Sequence, residues 1–217
     1  MGGDALRNLF LMAPPFILSL SVHEWAHAWS AYKLGDPTAK LSGRMTVDPM
    51  AHISWVGTVI FPAIAILLGA PFFGWAKPVP VDMRYFKKPR LGMAIVAAAG
   101  PISNIILSIL LTFTLGRIIA SGLDAESMTS LKGSGIEMLK FAIQINVFLA
   151  LFNLIPLPPL DGSRILQGMV SHSLADKIDR AAPAMEMLLL VLMFTGVFKI
   201  ISIPAYFVLG FLERMFL

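Results

Sequence analysis

Two histidines and a glutamate stand close together near the start of the chain, in the run His23-Glu24-Trp25-Ala26-His27. Positions i and i+4 share one face of a helix, so two imidazoles at this spacing can hold one metal ion. A glutamate beside the first histidine can reach a water molecule on that metal and act as a general base. Because the same pattern also arises by chance in proteins that bind no metal, its surroundings decide how it is interpreted.

Those surroundings are apolar. Hydrophobic residues make up 57% of the 217 residues, charged residues make up 14%, and the mean hydropathy is +0.77. A soluble domain usually carries about 25% charged residues, so the composition predicts a membrane protein. A helix through the apolar stretch 9–32 places His23 roughly 14 Å beyond Pro14, at about 1.5 Å per residue. Ionisable side chains at that depth are costly, which favours a functional metal site.

A catalytic zinc ion needs a third protein ligand and keeps its fourth position open. A third histidine six residues after His27, with a glycine midway, is one known arrangement, but Lys33 and Ser30 occupy those positions here. Asp48 and His52 lie in a polar loop further along the chain and are an alternative source of the ligand.

Asp161 is the preferred candidate for the third ligand. It lies near the end of the run Asn153-Leu154-Ile155-Pro156-Leu157-Pro158-Pro159-Leu160-Asp161-Gly162, in which three prolines within four positions prevent a regular helix. A broken helix of this kind can present a carboxylate to a polar cavity at membrane depth. The same residues could also form a simple turn that leaves the membrane, and their types alone do not separate the two interpretations.

Two asparagines in apolar stretches are further candidates for the site. Asn104 follows Gly100-Pro101 in the apolar stretch 91–121, and Asn153 lies within the apolar stretch 139–160. Either amide could donate a hydrogen bond to the oxyanion of a tetrahedral intermediate. Either could equally hydrogen-bond a neighbouring helix, and the residue types alone favour helix packing.

Five apolar stretches organise the chain, at residues 9–32, 53–75, 91–121, 139–160 and 182–217. A spanning helix needs roughly 20 residues, so the first, third and fourth qualify directly, and the last could form a helical hairpin split near Pro204. The predicted fold is an all-α polytopic membrane protein with one domain, residues 1–217, and a core at about 9–166. The absence of cysteine excludes disulfides and thiolate ligands.

Basic residues predict the topology. The net charge is +4, and the basic residues occur in short runs that follow the first, second and fourth stretches. This arrangement is typical of the loops that orient a membrane protein rather than of a nucleic-acid-binding surface. The positive-inside rule places these loops in the cytoplasm and the stretch 122–135 outside. Segment 53–75 is interrupted by glycines and prolines and lies between two basic loops, so it is predicted to be re-entrant. The first stretch lacks a small-residue cleavage site and is predicted to be retained.

Three motifs occur in order: His-Glu-x-x-His in the first stretch, Gly-Pro-x-x-Asn in the third, and Asn-Leu-Ile-Pro-x-Pro-Pro-Leu-Asp-Gly in the fourth. Together they resemble the site-2 protease family of intramembrane zinc metalloproteases, peptidase family M50. The resemblance covers about residues 19–166 and is far more specific than any single motif. The segments 48–52 and 74–81 resemble its compact prokaryotic branch, and no segment here is long or polar enough to be a PDZ or CBS domain.

The resemblance implies that His23, His27 and Asp161 bind one zinc ion per chain. It implies that Glu24 activates water and that the two asparagines lie close to the site. It also implies a small membrane-associated β element after the first helix, for which residues 41–47 and 79–83 are the candidate strands.

The expected function is that of an intramembrane endopeptidase in a prokaryotic cell membrane, with its active site towards the cytoplasmic side. Its expected partners are transmembrane protein or peptide substrates and the lipid bilayer. A transporter that uses the same polar residues is a rival interpretation, because broken helices and buried ionisable groups also occur in transporters. A homologue that binds a membrane partner without cleaving it is a second rival.

Overall fold

The computed structural model of the protein describes residues 2–67, 74–121 and 131–217. Its α-helices in those ranges are, in chain order, α1 (Gly2–Lys33), α2 (Thr38–Leu41), α3 (Phe61–Leu67), α4 (Pro89–Ala120), α5 (Leu131–Asn153), α6 (Asp161–Met169), α7 (His172–Thr195) and α8 (Ser202–Phe216). A π-helical turn, Trp55–Ile60, runs directly into α3. The predicted all-α class is confirmed for the described residues.

Three helices are long and apolar enough to cross a membrane: Arg7–Lys33 within α1, Pro89–Ala120, which is α4, and Gly133–Asn153 within α5. Each exceeds the roughly 20 residues that a span requires. Each also packs against the other two, and the shorter α6 packs against α4. These three helices form the core that positions the candidate site.

The helices α1 and α5 run in one direction and α4 runs in the other. Arg7 of α1 forms an ion pair with Glu137 of α5 at 2.5 Å, so these two helices begin at the same end. At the opposite end, Ala31 packs with Phe86 and Val96, which lie before and within the first turns of α4. The basic loops after α1, before α4 and after α5 therefore share one end of the bundle.

The predicted β element is wrong, since the described residues contain no strand. The stretch 41–47 begins with the last residue of α2 and continues through turns and bends, and 79–83 forms no ladder. Residues 74–82, here called the strap, pass beside the helices without regular secondary structure. Pro78 and Pro80 have no N–H to donate to a neighbouring strand, which explains why the strap forms no ladder.

The end of segment 53–75 lies beside its beginning. The Trp75 N–H donates to the Gly57 carbonyl at 3.0 Å, and the Thr58 hydroxyl donates to the Trp75 carbonyl at 2.8 Å. Residues 68–73 of this segment lie outside the described ranges, as does most of the predicted external stretch 122–135. The described ends of segment 53–75 are thus neighbours, whereas the ends of a spanning helix are not.

The C-terminal part breaks at Gly196 rather than at the predicted Pro204. Gly196 has a φ of 74°, a left-handed conformation that glycine adopts without strain, and it ends α7. Pro204 lies in the first turn of α8, where its missing N–H has no helical partner to lose. The helix α8 then packs against α4 and α5, with Ala205 and Leu212 buried beside Val147.

Candidate metal centre

Two helices bring two imidazoles and one carboxylate together in the bundle. The Asp161 carboxylate lies 3.1 Å from His23 Nε2 and 3.5 Å from His27 Nε2. One ligand atom from each of these residues lies within 4.8 Å of the other two. His23 is 5% exposed and His27 is 9% exposed, so this group is shielded from solvent.

Asp161 reaches the histidines because the chain turns sharply after α5. The proline-rich residues 154–160 form turns and bends, and Asp161 is the first residue of α6. A carboxylate in the first turn of a helix is stabilised by the helix dipole. Gly162 allows this close return, since a Cβ there would meet the carbonyl of Ile155 at 2.5 Å. The turn therefore presents the carboxylate to the two histidines, as expected if the prolines break the helix to place Asp161 at a polar cavity.

Hydrogen bonds behind the two imidazoles fix their orientation. His23 Nδ1 lies 2.5 Å from Asn104 Oδ1, and His27 Nδ1 lies 2.7 Å from the Val96 carbonyl. Both partners are acceptors, so each Nδ1 carries the proton and each Nε2 keeps its lone pair for a metal. Pro101 lies in the same helix and has no N–H to donate to the Ala97 carbonyl, the neighbour of Val96, so α4 lacks one backbone hydrogen bond beside the site.

Asn104 lies behind His23 and not in the cavity that contains the ligands. It is fully buried, and its amide nitrogen donates to Asn146 Oδ1 at 2.6 Å and to the Ser19 carbonyl at 3.2 Å. Asn146 in turn donates to the Ser19 hydroxyl at 2.8 Å. Both amide hydrogens of Asn104 are thus engaged, so its geometry favours holding His23 over donating to an oxyanion.

Asn146 was not among the site residues predicted from the sequence. The available signal was a polar side chain within an apolar span, seven residues before Asn153 on α5. A buried amide needs partners, and Asn146 finds them on α1 and α4. It therefore completes a network that joins all three core helices behind His23.

We expect Asn104→Leu to lower the zinc affinity by about ten- to a hundredfold, as is usual when the hydrogen bond behind a metal-bound histidine is lost. Competition with a chromophoric chelator measures this affinity. Asn153→Leu is the matched control, because the Asn153 amide donates to the Leu149 carbonyl rather than to either histidine. Equal affinities for the two variants would contradict the role assigned to Asn104.

Gly100 provides the space in which the imidazoles meet. A Cβ at this position would lie 2.5 Å from His27 Nε2 and 2.6 Å from His23 Cε1. We expect Gly100→Ala to reduce bound zinc by more than about tenfold, since the ligands must shift by more than the site tolerates. Gly210→Ala is the control, because nothing lies within 4 Å of its added methyl group. Normal zinc content in Gly100→Ala, measured by mass spectrometry of the metal, would refute this expectation.

Glu24 lies on the wall of a cavity of about 230 Å³ beside the ligands. Its Oε2 accepts a hydrogen bond from the Val79 N–H of the strap at 2.9 Å. Residues from all three core helices, the strap and α6 line this cavity: His23, Glu24, His27, Pro78, Val79, Val81, Met93, Val96, Ala97, Asn153, Pro159, Asp161 and Arg164. The carboxylate is thus beside the ligands without being one of them, as a general base must be.

Asn153 and Arg164 also line the cavity. Asn153 keeps one amide hydrogen after its bond to Leu149, so it can contact a substrate carbonyl. Arg164 was missed by the sequence analysis, although it lies one helical turn after Asp161. Its guanidinium donates to Asp179 Oδ1 at 3.1 Å, so its charge is paired with a carboxylate that does not line the cavity.

The alternative ligands Asp48 and His52 have other partners. The Asp48 carboxylate accepts the Met50 N–H and caps the 3-10 turn Pro49–Ala51. His52 is 2% exposed, and its Nε2 lies 2.7 Å from the Thr46 carbonyl. Among the described residues, neither joins a group of His, Asp and Glu side chains that could hold a metal.

The donor set fits zinc. Two neutral imidazole nitrogens and one carboxylate oxygen form a three-ligand set that leaves a fourth position open, as catalytic zinc sites require. The hydrogen bonds at both Nδ1 atoms supply the orientation that such sites need. A buried His-His-Asp group with an adjacent glutamate, within a core of three apolar helices, is the arrangement that a membrane metalloprotease would need.

The family model of peptidase family M50 matches residues 11–195. The chain belongs to this family and is a zinc metalloprotease. This agrees with the family that the three sequence motifs resemble.

Curated relatives support the same membership. "Putative zinc metalloprotease YwhC" of Bacillus subtilis is 43% identical over 166 residues, which cover 76% of this chain and 71% of the relative. "Putative zinc metalloprotease Rip2" of Mycolicibacterium smegmatis is 30% identical over 174 residues, covering 77% of this chain and 62% of the relative. Rip2 of Mycobacterium tuberculosis is 28% identical over 164 residues, covering 75% and 59%. No solved structure matches the chain significantly.

Proposed function

We propose that the protein is a zinc-dependent endopeptidase that hydrolyses a peptide bond within or next to a transmembrane segment of its substrate. The observation that carries the proposal is the position of the ligands. His23 lies ten residues before the end of α1 at Lys33, which is about 15 Å of helix at 1.5 Å per residue. A site at that depth meets substrate residues inside the bilayer rather than in a soluble loop.

His23, His27 and Asp161 would hold one zinc ion per chain. When bound there, zinc would polarise the scissile carbonyl and lower the pKa of a water molecule. Glu24 accepts the proton of the attacking water at Oε1, since its Oε2 is occupied by the Val79 N–H. It then delivers that proton to the leaving amine nitrogen.

Asn153 and the shape of the cavity complete the proposed mechanism. The free amide hydrogen of Asn153 donates to the oxyanion of the tetrahedral intermediate. The carbonyls of a substrate helix are already hydrogen-bonded within the helix, so the substrate must unwind locally before it is cleaved. A cavity of about 230 Å³ admits a few residues of extended chain but no intact helix, whose diameter is about 10 Å.

The proposed location is a prokaryotic cell membrane, with the site towards the cytoplasm. Basic residues gather at the end of the bundle that the strap also occupies, at Lys33, Arg84, Lys87, Lys88, Lys177 and Arg180. The positive-inside rule assigns this end to the cytoplasm. Segment 53–75 is then re-entrant, since its hydrogen-bonded ends at Gly57 and Trp75 lie on the same side.

This topology predicts where a cysteine at position 87 is labelled. The chain has no cysteine of its own, so Lys87→Cys introduces a single reactive thiol. We expect an impermeant maleimide to label it only after the cells are opened, because the re-entrant segment keeps this loop in the cytoplasm. Labelling of intact cells from outside would refute the re-entrant arrangement.

The test of the proposed activity is the position of the cut. The purified protein and a single-span substrate are placed in liposomes, and mass spectrometry identifies the new peptide termini. We expect termini within the span or within a few residues of it. The same substrate with its span replaced by a soluble helix is the control and should remain intact. Cleavage confined to soluble regions would contradict an intramembrane protease.

A further inference from the structure

Single hydrogen bonds to side chains and to loop carbonyls hold the strap in place of a β-ladder. The Lys77 N–H donates to the His52 carbonyl at 2.8 Å, and the Asp82 N–H donates to Asp36 Oδ2 at 2.8 Å. Between these two points, the Val79 N–H donates to Glu24. The strap is therefore the part of the chain that contacts the proposed general base directly.

Arg44 is a buried cation that has no carboxylate partner. It is 8% exposed, and its Nη2 donates to the carbonyls of Lys77 at 2.5 Å and Pro78 at 3.4 Å. Among the described residues, no acidic group pairs with Arg44 within 4.0 Å, and its buried Nε has no hydrogen-bond partner. Burying an unpaired charge is expensive, so the two strap carbonyls are the contacts that stabilise it.

One peptide group connects Arg44 with Glu24. The Pro78 carbonyl accepts from Arg44, and the Val79 N–H of the same peptide group donates to Glu24. A trans peptide is planar, and its oxygen and hydrogen point in opposite directions. Whatever fixes the carbonyl oxygen therefore also fixes the direction of the N–H.

We propose that Arg44 is a positioning residue that, through the Pro78–Val79 peptide group, holds the Glu24 carboxylate in the orientation needed to accept the proton. This inference rests on the proposed function, because it assigns Glu24 the role of general base. Pro80 favours extended backbone at Val79, so the strap is stiff and few contacts suffice to fix it. The guanidinium suits this task, since its Nη2 carries two hydrogens and donates to both strap carbonyls.

Two substitutions remove the two halves of this connection. Arg44→Met keeps the apolar stem and deletes the guanidinium. Val79→Pro deletes the N–H at a position that already lies between two prolines. We expect each to lower kcat by about ten- to a hundredfold, because a misplaced catalytic group loses rate on that scale. The zinc content of both variants should stay within about twofold of the parent value, since neither change touches a metal ligand. The KM of Arg44→Met should also stay within about twofold, because Arg44 does not line the cavity.

The double variant separates positioning from general destabilisation. If Arg44 acts through the Val79 N–H, the kcat of Arg44→Met/Val79→Pro should equal that of the worse single variant. Independent structural damage would instead multiply the two losses. Ala76→Pro is the matched control, because it adds a proline to the strap where no described residue accepts the N–H. It should keep kcat within about twofold, as expected for a site outside the network.

A second readout does not depend on activity. In a Val81→Cys background, Arg44→Met should increase the rate of maleimide labelling by about tenfold, because the strap opens more often. Arg44→Lys should show intermediate labelling and intermediate kcat, and it replaces Arg44→Met if that variant does not fold. Parental kcat in Arg44→Met or Arg44→Lys, or multiplied losses in the double variant, would overturn the proposal. A zinc-loaded parent protein that cleaves nothing would instead refute the proposed function.

Discussion

Replacing Glu24 with glutamine is expected to abolish proteolysis while zinc stays bound. The amide cannot accept a proton from water, and general-base catalysis usually contributes about a hundred- to ten-thousandfold. Glutamine can still accept the Val79 N–H through its side-chain oxygen, so the strap should remain in place. The rate of substrate cleavage and the zinc content of the same purified sample are measured together.

Glu186→Gln is the matched control for this prediction. Glu186 is exposed on α7, so the same change in charge and shape should leave the cleavage rate unaltered. Cleavage by Glu24→Gln at a rate close to that of Glu186→Gln would remove Glu24 from the mechanism. Equal binding of a membrane partner by Glu24→Gln and the parent, with no cleavage by either, would support a non-catalytic homologue instead.

Asp161→Ala is expected to lose most of the bound zinc. The carboxylate lies within 3.5 Å of both imidazoles, so its removal leaves two ligands where a catalytic site uses three. The affinity should fall by more than about a hundredfold, which exceeds the effect of losing a hydrogen bond behind a ligand. Zinc per purified chain, measured by mass spectrometry after dialysis against a weak chelator, reports this loss.

Asp48→Ala and His52→Ala test the alternative third ligand in the same assay. Both residues are engaged by other partners in the loop, so both variants should keep one zinc ion per chain. Loss of zinc in either variant, together with normal zinc in Asp161→Ala, would show that the third ligand comes from this loop.

Local spacing was sufficient to predict that the side chains of the first two candidate ligands lie together. His23 and His27 are four residues apart on α1, and helical geometry alone brings their side chains to one face. Apolar length similarly predicted the three long helices. These features depend on residues close together in the sequence, so composition and periodicity report them directly.

Long-range contacts were harder to predict. Asp161 is 138 residues from His23, and only the turn after α5 and the packing of α6 on α4 bring the two together. Asn104 appeared to be a candidate oxyanion donor, but its amide is engaged by Asn146 and Ser19. An isolated motif cannot show which partners a buried amide finds on other helices.

The β element was predicted from the family resemblance, and the local sequence argued against it. Pro78 and Pro80 remove two of the donors that a ladder needs, and side chains such as Arg44 hold the strap instead. The C-terminal break likewise lies at a residue other than the predicted one. Gly196 adopts the left-handed conformation that ends α7, whereas Pro204 fits the first turn of the next helix.

The most direct test of the central claim is a zinc titration of cleavage. Metal-free protein is placed in liposomes with a single-span substrate, and the cleavage rate is followed as zinc is added. We predict no cleavage without zinc, a rate that rises linearly, and saturation at one zinc ion per chain. Cleavage by the metal-free protein, or saturation only at two zinc ions per chain, would contradict a single zinc centre formed by His23, His27 and Asp161.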